Sequence, residues 1–409
     1  MRKILLGAVG LWLGIVAVKA ADLVGVPRVP IGEEGVALQD WLLIGSFKAA
    51  GGEEAVDVDF LEQFGFTEST CKSEDLMKLA SHPELSVNHA TGATNVDFGA
   101  LYKAGPVSAG PPPQTAAYAA CEILAKGNRE AWLLLGSGDG AKVWLNGEPR
   151  YVSRERSPAA YEAAIRLTLH PGSNLLLVKV ANSALRWEMR ARLEPDEISA
   201  ACTTLDASET LLERALIPPG ESLQLIQPGM PDSLVVDAEI ENANGTSVKQ
   251  VRLGSAASPN LSDWPHGIYH LTLKLGGKRY RQNFHLGDMA ELRAEVTKRC
   301  QAVTADDQTT INLQAQLQMI EIYQQPNQAK PKYKNDALAR EAARHQENIT
   351  VDLAARILAA LDRIAHGEKA FPRCLVCTFV AFAPASTIRS CITGCLCHRI
   401  TEPAKGGSP

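Results

Sequence analysis

Apolar and polar positions alternate in short runs up to about residue 287, and turn residues separate the runs. After a Pro-containing stretch, residues 26–30, Asp40-Trp41-Leu42-Leu43-Ile44-Gly45-Ser46-Phe47 reads as a strand. A short amphipathic helix is predicted over residues 74–80, followed by Val96-Asp97-Phe98 and a Pro111-Pro112-Pro113 turn. Residues 115–124 and 131–135 are apolar runs. Lys142-Val143-Trp144-Leu145 leads into Asn146-Gly147, the strongest short hairpin signal. Ile165-Arg166-Leu167-Thr168-Leu169 alternates strictly until His170-Pro171-Gly172 breaks it. Residues 175–180 and 187–193 complete a set of short strands that predicts a jelly-roll-like β-sandwich over 21–200.

A second β region follows. Residues 234–240, 268–273 and 280–286 are joined by Asn244-Gly245 and Gly276-Gly277 turns, which predicts a small immunoglobulin-like β-sandwich over 203–287. From residue 288 the chain becomes rich in Ala, Glu, Gln, Leu and Arg. Leu313, Leu317, Ile320 and Tyr323 fall on one helix face, as do Leu353, Ile357, Leu361 and Ile364. Pro326 and Pro331 punctuate this region, so 288–370 reads as a helical linker packed on its neighbour. No repeat of solenoid period is present. The expected fold class is mainly β, two sandwiches and then a helical segment.

Composition narrows the function classes. The 409 residues are 45% hydrophobic and 21% charged, which fits folded domains rather than disorder. A net charge of −5 implies no strongly basic face, so no nucleic-acid partner is expected. Met1-Arg2-Lys3, an apolar run over residues 4–18 and Val18-Lys19-Ala20 form a signal peptide, residues 1–20. The chain is therefore expected to be exported, to the periplasm or beyond the cell, with no transmembrane segment after cleavage. Export permits disulfides. Cys71, Cys121, Cys202 and Cys300 are scattered, with their pairing open, whereas Cys374, Cys377, Cys391, Cys395 and Cys397 crowd the tail.

The hairpin carries a resemblance. Leu135-Gly136-Ser137-Gly138-Asp139-Gly140-Ala141-Lys142-Val143-Trp144-Leu145-Asn146-Gly147 is similar to a G-S-D-D-G-x-K-V-W-L-N-G module of secreted bacterial proteins. Gly172-Ser173-Asn174-Leu175-Leu176-Leu177-Val178-Lys179-Val180 and residues 187–193 match its later G-x-N-x-L-L-V-K-V and W-x-x-x-x-R-I pieces, and the resemblance spans residues 40–195. The hairpin also resembles the lectin-like sandwich of the protective-antigen type, where paired aspartates help to bind calcium and sugar. Gly138 replaces the first of that pair and leaves Asp139 alone. A calcium ion needs six or more oxygens, so no metal or other cofactor is expected. The resemblance implies Asp139, Trp144, Asn146 and Trp187 as candidate ligand-binding residues, with a polysaccharide or a peptide as the ligand. Trp144 and Trp187 have two readings, sandwich core and sugar stacking.

Catalytic signatures are missing: no G-x-S-x-G elbow, H-E-x-x-H, P-loop or G-x-G-x-x-G occurs. His266, His270 and His285 lie on strand-like segments and read as surface or core residues rather than a metal site. In the tail, residues 371–409, the five cysteines and His398 supply enough ligands for zinc, although the spacing fits no standard ribbon or finger. The alternative is out-of-frame translation. Shifting the codon frame at Pro372, with one compatible choice of synonymous codons, gives a string with an alternating strand and a Pro-Pro-Asp turn. That string resembles the first strand of secreted α/β-hydrolases similar to prolyl oligopeptidases and esterases. The expected role is thus an exported, non-catalytic accessory or substrate-presenting region of a truncated serine hydrolase. The alternative is a free-standing carbohydrate-binding or adhesion protein.

Overall fold

The run at 175–180, apolar except for Lys179, behaves as a central strand covered on both faces. In the computed structural model it lies in the middle of a seven-stranded sheet. The structure describes residues 25–49, 54–102, 114–154, 161–182, 187–208, 211–225, 229–254, 259–302 and 337–366. The signal-like segment 1–20, the Pro111–Pro113 turn, the helical face from Leu313 to Tyr323 and the tail 371–409 lie outside them.

The elements in chain order are β1 (Arg28–Pro30), β2 (Val36–Ala37), β3 (Trp41–Lys48), α1 (Ser73–Ala80), β4 (Ser86–Ala90), β5 (Val96–Asp97) and α2 (Phe98–Leu101). Next come β6 (Thr115–Ala125), β7 (Arg129–Ser137), β8 (Ala141–Leu145), β9 (Glu148–Ser153), β10 (Ala163–Leu169), β11 (Gly172–Asn182) and β12 (Glu188–Glu194). The remainder is α3 (Glu197–Ala207), β13 (Leu216–Ile217), β14 (Val235–Asn242), β15 (Ser247–Gly254), β16 (Gly267–Leu275), β17 (Lys278–Leu286), α4 (Met289–Ala302) and α5 (Ala337–Ala365).

The fold is mainly β, with sandwich-like antiparallel sheets and a few helices. One sheet runs β4-β3-β6-β11-β8-β9, with β1 beside β6; the facing sheet runs β10-β7-β12-β2, with β5 beside β12. Their inner faces share one apolar core, supplied by Leu43, Ile123, Leu133, Leu135, Val143, Leu167, Leu176, Val178 and Leu193 among others. The outer face of the larger sheet is apolar as well. Leu42, Ile44, Tyr118, Trp144 and Leu177 pack there against Val56, Phe60, Leu61, Leu76 and Leu79. Residues 54–85 therefore act as a cover. Their few apolar residues are scattered among polar ones, so only the 74–80 helix stands out in the sequence.

The third sheet runs β13-β17-β16-β14-β15. One face packs against Ala201, Cys202 and Leu205 of α3 and against the 211–225 segment. The other face meets α4 and α5 through Ile268, Leu292, Val296, Leu353, Ile357 and Leu361. The interval 200–203, where the sequence pattern divides two modules, lies inside α3. Asp196 caps that helix by accepting the Ser199 N–H at 2.8 Å. Among the described residues no helix is long and apolar enough to cross a membrane.

Candidate functional site

Asn146 and Gly147 both adopt left-handed backbone, with φ of 52° and 83°, which closes β8 on β9 as a tight hairpin. A Cβ on Gly147 would strike the Ser69 carbonyl, so the turn is seated directly on the covering segment. Asn146 faces back toward β11. Its Oδ1 accepts the Leu175 N–H at 2.8 Å, and its Nδ2 donates to Asn174 Oδ1 at 3.0 Å. Asn174 is fully buried; it donates to the His170 carbonyl at 2.8 Å and accepts the His170 N–H at 2.9 Å. These two asparagines tie the hairpin to the start of β11. Asn146→Ala should cost about 1–3 kcal/mol, from two lost hydrogen bonds and a left-handed alanine. A lower urea midpoint at unchanged slope would register that cost; an unchanged midpoint would show that the tie is dispensable.

The four candidate residues do not share one pocket. Asp139 is fully buried in the turn between β7 and β8. The five residues of β8 separate it from Asn146, roughly 17 Å at the usual strand rise. Trp187 is 4% exposed; its indole donates to the Val180 carbonyl at 3.0 Å, and its ring lies 5.5 Å from Phe98 and 5.6 Å from Tyr102. Trp144 is 2% exposed and lies under the covering segment. A stacked sugar needs an open ring face, and both indoles are enclosed by the protein's own side chains.

Around Trp144 the structure assembles a cluster that periodicity does not reveal. Odd-numbered residues of β11 point to the outer face, which puts Lys179 in line with Leu175 and Leu177. Its side chain is fully buried. The ammonium donates to Glu68 Oε1 at 2.6 Å and to the Val58 carbonyl at 2.8 Å. It also lies 5.6 Å from the Trp144 ring centre and 5.9 Å from those of Phe60 and Tyr118. Tyr118 donates to the same Glu68 oxygen at 2.6 Å, and Lys142 reaches the other oxygen at 3.4 Å. Burial pulls the Lys179 ammonium below the usual lysine range, with Glu68 opposing and Lys142 adding to the effect. Burial, and then the Glu68 charge, push the Tyr118 phenol well above its ordinary value. A perturbed lysine and tyrosine beside a carboxylate would suit catalysis in an open cleft. Here the lysine has no solvent-facing surface, so the cluster fastens the covering segment to the sheet. The visible signal for it is one lysine inside an otherwise apolar run.

Other candidate chemistry resolves similarly. Cys71, Cys121, Cys202 and Cys300 are free thiols, and burial raises Cys71 to about 12, which removes thiolate reactivity. No three His, Cys, Asp or Glu side chains among the described residues are grouped to hold a metal ion. His270 bonds to Asn283, whereas His266 and His285 both lie near Glu291.

An open polar groove does exist on the third sheet. Among the described residues, α4 and α5 cover its helix-bearing face toward Ile268. The rest of that face presents Asp237, Glu239, Gln250, Arg252 and Lys274 around a cavity of about 350 Å³. Arg252 lies 3.7 Å from Asp237, and Lys274 lies 3.5 Å from Glu239. Register explains the grouping, because Asp237 pairs with Arg252 and Glu239 with Gln250, and directly opposed residues share a face.

No protein-family model matches the chain, and no curated protein does. Solved structures do show similarity. A β-glucuronidase of Faecalibacterium prausnitzii is 12% identical, covering 63% of this chain and 47% of its own, at a TM-score of 0.26. A glycosyl hydrolase family 2 member of Bacteroides cellulosilyticus is 11% identical, covering 62% and 36%, at 0.25. A family 2 β-galacturonidase of Eisenbergiella tayi, bound to galacturonate, is 12% identical, covering 61% and 42%, at 0.26. The chain thus spans less than half the length of each. These neighbours correct one expectation: they are glycosyl hydrolases, not α/β-hydrolases of the prolyl oligopeptidase or esterase type. The error has a physical origin. The expectation rested on a string outside the written residues, whereas the described β region carries nothing specific to a serine hydrolase.

Proposed function

We propose that this chain is an exported, non-catalytic carbohydrate-binding protein that takes its ligand in the groove across β14, β15 and β16. The open groove of Asp237, Glu239, Gln250, Arg252 and Lys274 carries this reading. Carboxylate, amide and guanidinium groups pair with vicinal hydroxyls through two hydrogen bonds at once, as planar bidentate groups do. Both carboxylates already face a cation, whereas a glycosidase acid needs surroundings that keep its proton on. Export rests on the signal pattern of residues 1–20, and the non-catalytic reading rests on the sealed Lys179 cluster.

Titration calorimetry of the full chain against neutral and uronic polysaccharides tests this. Binding should appear, and Arg252→Ala combined with Lys274→Ala should weaken it at least tenfold, because two of the ligand's donors are removed. The melting temperature should barely move, since both ion pairs are exposed. Failure to bind any polysaccharide, or binding that survives both substitutions, would reject the groove.

A further inference from the structure

His285 lies on β17 between Leu216 of β13 and Ile268 of β16, the strand residues that face α4 and α5. Its neighbour Phe284 points the opposite way, into the core shared with α3. The His285 side chain is therefore in the layer beneath the helix pair, and the residue is 1% exposed. Among the described residues neither ring nitrogen makes a hydrogen bond of normal geometry, and the group that comes near enough to favour a protonated ring is the Asp288 backbone. Such a group is rare inside a folded protein, because each unpaired polar atom forfeits its hydration.

The groups around it are titratable but occupied. Glu291 at the start of α4 accepts the Asp288 N–H at 3.1 Å, and Asp288 accepts the Glu291 N–H at 2.8 Å, a reciprocal helix cap. The same Glu291 carboxylate lies 3.1 Å from His266 Nδ1. His285 Nε2 and Glu291 Oε2 both crowd the space that a Cβ on Gly287 would fill, so only glycine fits beneath them. From α5, Asp352 is engaged by Asn283 at 2.6 Å and by Arg356 at 3.2 Å, and Glu347 accepts the Leu216 N–H at 3.4 Å. From β16, His270 is bonded to Asn283. Leu216 and Ile217 of β13 bring no charge.

We propose that the α4–α5 helix pair is held on the third sheet by a neutral His285 and lifts from the sheet in acid. A protonated ring would be an unpaired cation within an apolar layer. Lifting the helices returns it to water, whereas staying packed leaves it in an apolar layer where the Asp288 backbone and the Glu291 carboxylate compensate only part of the lost hydration. Burial holds the ring at about 4 rather than 6.5; His266 adds to the effect, and the Glu291 and Asp288 charges and a hydrogen bond to the Asp288 backbone only partly oppose it. The sign follows from proton binding. Between pH 6.5 and 4 the lifted state binds the proton and the packed state does not, so acid favours lifting. Each pH unit in that window shifts the balance up to tenfold, by about 80-fold across the window and on the order of 300-fold in the limit of lower pH. Above pH 6.5 neither state is protonated and the packed state keeps its full advantage.

Hydrogen exchange of the full chain, corrected for intrinsic rates, tests the switch. Segments 289–302 and 351–361 should lose protection by about fortyfold between pH 6.5 and 4.5, whereas β6 should hold. His285→Leu should abolish that loss, and His266→Gln should preserve it. An equal loss in His285→Leu, or uniform loss across the chain, would overturn the proposal. If His285→Leu does not fold, an NMR titration of the wild-type ring decides. A midpoint near 4 with linked loss of α4 protection supports the switch, and an ordinary midpoint near 6.5 overturns it.

Discussion

Lys179→Met should lower the stability of the chain by about 3–5 kcal/mol, the largest effect expected of any single substitution that keeps side-chain volume. The lysine is the main charge partner of Glu68, which is itself almost fully buried. Methionine fills the space between Trp144, Phe60 and Tyr118, so the cost is electrostatic rather than steric. Glu68 would retain the Tyr118 hydroxyl at 2.6 Å and the partly exposed Lys142 at 3.4 Å, too little to replace a direct buried cation. Urea denaturation should show the loss as a lower midpoint at constant slope. Adding Glu68→Gln should recover part of it, because the double variant buries no unpaired charge. A loss below about 1 kcal/mol would mean that water reaches the pair, as it does at surface ion pairs.

Trp144→Ala should cost about 3–5 kcal/mol, the usual range for deleting a large aromatic side chain from a core. The indole fills the junction between the outer face of the larger sheet and the 54–85 cover, and both Lys142 and Lys179 lie over it, at 4.9 Å and 5.6 Å. Its removal should also loosen the cover. Limited proteolysis should then cut within residues 54–72 before any β strand is lost. This experiment separates the two readings that the sequence leaves open. A variant with wild-type stability and weakened sugar binding would make Trp144 a stacking residue after all. A destabilised variant that still binds polysaccharide would place recognition elsewhere, as the groove on the third sheet requires.

Strands with strong alternation or continuous apolar character were legible. Residues 165–169 alternate because one face meets the core and the other meets solvent. The 115–124 and 175–180 runs, apolar apart from Glu122 and Lys179, do not alternate because both of their faces are covered. Strands β9 and β15 were not legible. Both end a sheet and leave most of their residues exposed, so the sequence Glu148–Ser153 or Ser247–Gly254 shows no apolar period. The helix Glu197–Ala207 was missed for a related reason. Its buried side chains are mostly alanine, cysteine and threonine, which give a weak apolar stripe. Of the candidate site, the motif Asn146-Gly147 was legible as a turn; that its asparagine serves Leu175 and Asn174 was not.

Short-range chemistry settled the parts that need only neighbours along the chain. Period-two patterning placed the strands, Asn-Gly and Gly-Gly placed the turns, and the composition change at residue 288 placed the helices. Long-range contacts settled everything else. Lys179 and Glu68 are 111 positions apart, so nothing in either local sequence says that they share a buried bond. Phe60 and Leu61 cover a sheet only because that sheet presents an apolar outer face to them. His285 looks like any strand histidine until α4 and α5 seal it in, and it is this burial without a partner that turns a side chain of ordinary basicity into one sensitive to acid.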